Sequence, residues 1–476
     1  MKDKLKNRLS TALLAVLIIA AFVLSIGVWI FEYMVPQRVF SPEDAWALFT
    51  NSFFERYPVI SQSRRVQTTD MDGLFTPSSV IMTSGGKRRA VVNDANQLAQ
   101  AHGAVRRDIA RLLSSGQTAA REGYVSRDEW ARALCGDGIF IDFAHDISLL
   151  LYAEHCSTQW PAGDVAFRYM LLTPGGDGNS AAVYLRADDG STVCLINSGG
   201  TVQLDDTLLD ELGKDGAPNQ YLFAAEAVNT PMGRARIERC AFEPQQLVSV
   251  GGVVMPDIVS SSPLSGLGEE GPAENVVQMI LHTFGHNSVT SGHYTDSDGS
   301  DVYVENFSMV RISPEGMIEY SVFQNEKGIE VTPVSQRQDG KLTGYDMLAA
   351  SWRLLSQLGR GLLGGDGAYL SFCGMEETGG AVRIYFEYRS NGLPVYCGVG
   401  EKGYPVSVEI RDGCITGAQV YPRVWRVSGE ARETVPIYYA MDMLADGQGA
   451  GGLELMYVDG PSGGSVSAIY AAAGKR

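Results

Sequence analysis

Residues 165–197, VAFRYMLLTPGGDGNSAAVYLRADDGSTVCLIN, hold three short apolar runs, 165–173, 181–187 and 191–197, divided by the turn signals GGDGN and ADDGS. Runs of this length, closed by Gly, Asn and Asp, predict neighbouring strands joined by tight turns, an antiparallel meander. A further apolar run at 139–153 precedes them, and 219–226 and 246–254 are candidate additional strands. This stretch sets the expected class as α+β, with helices packed on mostly antiparallel sheets.

Upstream, the pattern is helical. Ser41-Pro42-Glu43-Asp44 places an N-cap, a proline at the first helical position and acids in the first turn, and Ala45, Leu48, Phe49, Ser52 and Phe53 share one face. Residues 94–116 read as a second helix, with Leu98, Val105, Ile109, Leu112 and Leu113 in period and Gly116 as its stop. Ser126 caps a third, around Asp128 to Leu134. Residues 32–258 are therefore expected to form an N-terminal α+β module.

Residues 259–273 have few large apolar side chains and read as a linker. A central helix-plus-sheet module is expected over 274–335, with a helix near 274–285 and strands in 300–311 and 316–323. A C-terminal one follows over 336–476, with a helix near 345–358 and strands near 367–374, 381–388, 394–398 and 404–411. Val302-Tyr303-Val304-Glu305 parallels Ile384-Tyr385-Phe386-Glu387, and Val310 to Tyr320 loosely parallels Val408 to Ala418. Duplication would explain this, but any two β-hairpins share alternation and turn residues, so both readings stand.

At the other end, residues 11–31, TALLAVLIIAAFVLSIGVWIF, run 21 positions without a charge. At about 1.5 Å per helical residue they match the roughly 30 Å hydrocarbon core of a bilayer. Lys2, Lys4, Lys6 and Arg8 against Asp3 mark residues 1–10 as a cytoplasmic tail, which puts the rest outside. The aromatic exit at Trp29, Phe31 and Tyr33 suits a retained anchor better than a cleaved signal peptide. On a helical wheel Leu14, Ala15, Ile18, Ala21, Phe22, Ser25 and Trp29 share a side, and Ala21 and Ser25 form a small-xxx-small pair suited to close helix contact.

The chain carries a net charge of −17; the tail, four bases against one acid, holds +3, leaving −20 on the remainder. So negative a body repels nucleic acid and anionic headgroups. The 7 cysteines are an odd number without a C-x-x-C, which argues against a structural zinc or thioredoxin-like site and for dispersed, mostly buried thiols.

No catalytic constellation emerges. G-x-G-x-x-G at Gly266–Gly271 and Gly359–Gly364 lacks the strand-to-helix context of a nucleotide fingerprint. His282 and His286 lie four apart with His293 nearby, but Thr283, Phe284 and Gly285 intervene where a zincin needs its glutamate, so surface or capping roles are expected. Asp296-Ser297-Asp298-Gly299-Ser300-Asp301 misses the calcium-loop glycine and glutamate and reads as a polar hairpin turn. The acid pairs Asp188-Asp189, Asp205-Asp206 and Glu376-Glu377 are solvated turns on this reading, since adjacent strand residues face opposite ways. Ser84-Gly85-Gly86-Lys87 fits S-x-x-K without its companion motifs. No catalytic, cofactor-binding or metal-binding residue is assigned.

The most specific signal is Phe386-Glu387-Tyr388-Arg389-Ser390-Asn391-Gly392-Leu393-Pro394-Val395-Tyr396, followed by a strand at Val406–Ile410 and by Tyr421-Pro422-Arg423. This order resembles the YycH family of membrane-tethered regulators. The basic tail, the single anchor, and the segment Met279 to Tyr320 with Asn287, Tyr294 and Gly316-Met317-Ile318-Glu319-Tyr320 agree with it. The resemblance implies a non-enzymatic, single-pass protein of the cell membrane that regulates a WalK-type (YycG-type) sensor histidine kinase governing cell-wall metabolism, with a YycI-type partner. It also implies contacts through transmembrane helices and ectodomains. A wall-attached hydrolase, or a PepSY-like inhibitor or ligand-binding module for wall fragments, remains the alternative.

Overall fold

A computed structural model of the chain describes residues 68–472 apart from 115–117, 121–123, 161–162, 176–178, 199–201, 203–220, 231–232, 240–241, 250, 265–273, 325, 335–340, 401, 446–452 and 461–462. The expected membrane helix 11–31, its interaction face Leu14, Ala15, Ile18, Ala21, Phe22, Ser25 and Trp29, and the helix beginning at Ser41 lie outside the described residues. Among the described residues no helix is long and apolar enough to cross a membrane.

After a 3-10 turn over Thr68–Phe75, the chain forms β1 (Ser79–Ser84), β2 (Lys87–Val92), α1 (Ala95–Ser114), β3 (Thr118–Ala120), α2 (Arg127–Leu134), β4 (Gly138–Ser148), α3 (Leu149–His155), β5 (Ala166–Pro174), β6 (Ala181–Arg186) and β7 (Thr192–Asn197). The strands make one antiparallel sheet in the order β2-β1-β4-β5-β6-β7-β3, so the run from β4 to β7 is the expected meander. Ser126 Oγ accepts the Glu129 N–H at 3.2 Å, starting α2 at the predicted cap. The run 139–153 is not all strand: Ser148 Oγ accepts the Leu151 N–H at 3.2 Å and turns Leu149 onward into α3. A continuous apolar run does not distinguish strand from buried helix, and here the cap decides.

Next come β8 (Tyr221–Phe223), α4 (Ala224–Ala227), α5 (Arg234–Arg239), β9 (Leu247–Ser249) and β10 (Val254–Ser261). The stretch expected as a linker thus begins inside a strand, where small serines pack closely and Ser260 Oγ donates to Asp459 Oδ2 at 2.6 Å.

The remainder comprises α6 (Glu274–Thr283), β11 (Gly292–Thr295), β12 (Asp301–Glu305), β13 (Ser308–Ile312), β14 (Ile318–Val322), β15 (Ile329–Glu330), α7 (Gly344–Leu358), β16 (Leu363–Gly365), β17 (Tyr369–Thr378), β18 (Ala381–Ser390), β19 (Leu393–Tyr396), β20 (Val406–Arg411), β21 (Cys414–Val420), β22 (Arg423–Glu433), α8 (Ile437–Ala445), β23 (Leu453–Val458), β24 (Gly464–Val466) and β25 (Ala468–Ala472). Most of these strands join a large sheet with the path β11-β12-β13-β14-β21-β20-β18-β19-β23-β25, with β15 on β21 and β17 on β18. A smaller sheet runs β16-β22-β10-β24. Pairing is antiparallel except for β16 with β22 and β19 with β23.

The helix α6 with β11–β14 and the helix α7 with β17, β18, β20 and β21 follow the same order, and their last strands pair antiparallel with Tyr320 opposite Ala418. Tyr303 and Ile384 face Val310 and Val408, which shifts the strand equivalence by one residue from the sequence likeness of Tyr303 to Tyr385.

Glycine closes the hairpins. Gly85-Gly86, Gly379-Gly380, Asn391-Gly392 and Asp412-Gly413 are two-residue loops with positive φ at both positions, the type I′ turn that matches strand twist. Side chains from the segments read as N-terminal, central and C-terminal modules, among them Leu98, Ile141, Ile280, Val310, Leu355 and Phe386, fall in one hydrophobic cluster. Residues Val66–Arg476 form one compact unit.

The Asn391-Gly392 turn sits against α1. A Cβ on Gly392, whose φ is +81°, would stand 2.6 Å from Leu98 Cδ1, whereas one on Gly103 of α1 meets nothing within 4 Å. Gly392→Ala should therefore destabilise the protein by about 1–3 kcal/mol through left-handed strain and overpacking. Gly103→Ala should stabilise it by about 0.5–1 kcal/mol, because alanine loses less backbone entropy in a helix. Urea midpoints of the two variants should move in opposite directions.

Candidate functional site

Three backbone irregularities meet where β4 crosses the large sheet. The pairing of β4 with β5 slips between Asp142 and Ile147, and within that bulge Ala144 adopts φ +69° while its N–H donates to Asp142 Oδ1 at 2.7 Å. The pairing of β17 with β18 slips between Phe372 and Gly374, which leaves Cys373 as the bulged residue. Strand β18 then exchanges β20, its partner through Phe386, for β19, its partner from Tyr388, so Glu387 sits at the switch.

These distortions gather His145, Cys373 and Glu387, all buried, with their donor atoms within 4.8 Å of one another. His145 Nε2 lies 2.9 Å from Glu387 Oε1. Arg389, fully buried two residues along β18, sets its Nε 3.6 Å from the same oxygen and its Nη1 3.5 Å from the Thr76 carbonyl. A small cleft between β19 and β20, lined by Glu387, Tyr396, Lys402 and Tyr404 among others, has about 10 Å³ of free space, enough for one water-sized group. Tyr404 turns its ring edge toward His145 at 6.1 Å, and Lys402, paired with Glu376, lies 5.5 Å over the Tyr385 ring.

A second buried polar group lies under α1 and α3. His102 Nε2 is 2.7 Å from the Tyr152 hydroxyl, and His155 Nε2 is 3.2 Å from Arg106 Nη1, which also pairs with Asp72. His155 stacks on Phe75 at 4.3 Å. Burial, reinforced by Arg106, lowers both imidazoles to about 3, with His102 adding to the effect at His155. Burial likewise pushes the Cys156 thiol up to about 12, so its thiolate is not a ready nucleophile. On β4, burial alone would raise Asp142, but Arg168 and the Ala144 N–H hold it below the ordinary carboxylate range.

The sequence candidates do not converge with either group. Ser84-Gly85-Gly86-Lys87 is the β1–β2 turn, and Gly359–Gly364 runs from the C-cap of α7 into β16. His282 is exposed, His293 pairs with Asp301 at 3.1 Å, and His286 is buried instead of lying on the surface, with Nε2 2.8 Å from Ser308 Oγ, while its backbone N–H caps α6 on the Leu281 carbonyl at 2.8 Å. Asp296–Asp301 is the β11–β12 turn, with Asp298 held by Arg311. Asp188 pairs with Arg168 at 3.1 Å, and Glu376 with Lys402. Gly266–Gly271, Asp205-Asp206 and Cys240 lie outside the described residues. Of the six described cysteines, Cys194, Cys373 and Cys397 are buried.

No family model matches the sequence, and no curated protein is detectably similar to it. Its fold matches the crystal structure of YycH from Bacillus subtilis with a TM-score of 0.50, over 85% of this chain and 95% of that one, at 10% identity. The protein is YycH-like in fold. The segment FEYRSNGLPVY here forms the end of β18, its Asn391-Gly392 turn and β19.

The two low-pKa histidines generate a pH dependence. An unfolded imidazole takes up its proton near pH 6.5, while the folded ones resist until about pH 3, so stability falls as pH drops through that window. Each contributes about 1.4 kcal/mol per pH unit below 6.5. Between pH 6.5 and 4.5, above most carboxylate titration, the double variant His102→Gln/His155→Gln should show a flatter decline of unfolding free energy than the parent. Equal slopes would refute the assignment.

Proposed function

We propose that the protein is a membrane-anchored extracytoplasmic regulator of a sensor histidine kinase in a two-component system controlling cell-wall metabolism. The observation that carries this reading is the YycH-like fold over 85% of the chain. Residues 11–31 supply the anchor, with residues 1–10 cytoplasmic and the body outside. The kinase is of the WalK type and a YycI-type protein is the second partner. Nucleic acid is disfavoured by the acidic body.

Output on this reading is contact, not turnover. Binding energy biases the kinase only to the extent that it differs between the kinase's signalling states. Contact between membrane helices is strongest where small residues let backbones approach, which assigns the Ala21 and Ser25 side of the anchor to the interface.

With Ala21→Leu/Ser25→Leu in the full chain, the amount of kinase or YycI-type partner co-purifying from detergent should fall several-fold and kinase output should shift. Leucine keeps the segment apolar, so membrane insertion serves as the internal control. Full recovery of both partners with unchanged output would eliminate this face, and failure of the unmodified chain to retain any sensor kinase would eliminate the regulatory reading.

A further inference from the structure

We propose that His145, Cys373 and Glu387 bind one divalent transition-metal ion of the zinc type, with a further coordination position open to solvent at the β19–β20 cleft. This inference is independent of the regulatory reading.

The donor chemistry selects the ion. An imidazole, a thiolate and a carboxylate are the ligand types of zinc and its neighbours, whereas magnesium and calcium call for oxygen alone. Three protein ligands with an open fourth position is the arrangement of accessible zinc sites. Metal–ligand bonds of 2.0–2.3 Å place tetrahedral donors about 3.4–3.6 Å apart. The three donors here lie within 4.8 Å of one another, and His145 Nε2 at 2.9 Å from Glu387 Oε1 needs to withdraw only by about the half-ångström that this shell implies.

The backbone supports the same conclusion. Bulges interrupt ladder pairing and are enriched beside functional sites, where they re-aim a side chain. Here one bulge delivers His145, a second delivers Cys373, and a change of strand partner frees the flank of Glu387. Glu387 also lines the cleft, which gives an ion a path from solvent to an otherwise buried cluster. Arg389 backs the carboxylate as an outer partner, the kind of contact that orients ligands around bound metal.

The ion adds two positive charges beside that of Arg389, the Glu387 carboxylate and Cys373 thiolate supply two negative ones, so the loaded cluster keeps the single positive charge of Arg389, and His145 binds through the Nε2 lone pair with its proton on Nδ1. Forming the metal–sulfur bond releases the thiol proton to solvent, so ion binding is accompanied by proton release.

Cobalt(II) is the probe, titrated into chelator-stripped full chain in detergent. The expected result is one ion per chain, with a thiolate-to-cobalt charge-transfer band in the near ultraviolet and visible ligand-field bands, all displaced by zinc. The bands should vanish in Cys373→Ser and His145→Ala, weaken at least tenfold in apparent affinity in Glu387→Gln, and persist in Cys194→Ser, which alters a buried thiol on β7. The unmodified protein decides the matter even where a variant fails to fold. Absence of the thiolate band there, or its survival in a folded Cys373→Ser variant, overturns the proposal.

Discussion

Strand β18 carries a constraint that the surrounding structure must satisfy: Glu387 and the wholly buried Arg389 are ionisable side chains held in the interior. Removing such charges from water costs several kcal/mol per ion unless partners are placed well. The partners come from far along the chain, His145 from the bulge of β4 and the Thr76 carbonyl from the segment before β1. Displacing either sheet by one residue would turn these groups away, because strand side chains alternate faces. The ion pair thus acts as a gauge of register between the two large sheets, and the Asn391-Gly392 turn, pressed on Leu98, holds the same strand from its end.

The rest of the interior follows the same logic: Arg423 and Asp459, both buried, pair at 3.4 Å. His102 and His155 are kept uncharged by burial, His102 Nε2 meeting the Tyr152 hydroxyl and His155 Nε2 meeting Arg106, while His155 Nδ1 finds no hydrogen-bond partner among the described residues. The YycH-like architecture couples the meander and the helix-plus-sheet units through one core.

Much of this was readable because local chemistry dominates locally. Ser126 before α2, the ADDGS turn, and the helix near 345–358 all carry their signal within a few residues, and the structure places elements there. Two segments were misread for a physical reason. The 139–153 run is apolar throughout, so only the cap at Ser148 separates strand from helix, and the serines at 260–261 look like linker until β22 is known to lie beside them. The His145, Cys373 and Glu387 cluster left no trace at all, since its members come from three strands with no spacing motif between them. The positive φ at Ala144 that marks its bulge is not a property alanine advertises. The strongest segmental signature, Phe386 to Tyr396, was legible because an aromatic strand and a two-residue turn are contiguous in the chain.

The pairing of β10 with β22 has a consequence for how the molecule assembles. Most hairpins close over two residues, but Ser261 and Val424 are 163 positions apart, and loop-closure entropy must be met before that ladder yields a bond. During synthesis β10 emerges long before its mate. It then waits as an unsatisfied edge bearing Val254 and Val259, which stay exposed even in the finished fold, so its nascent form is open to misassociation until the later strand arrives.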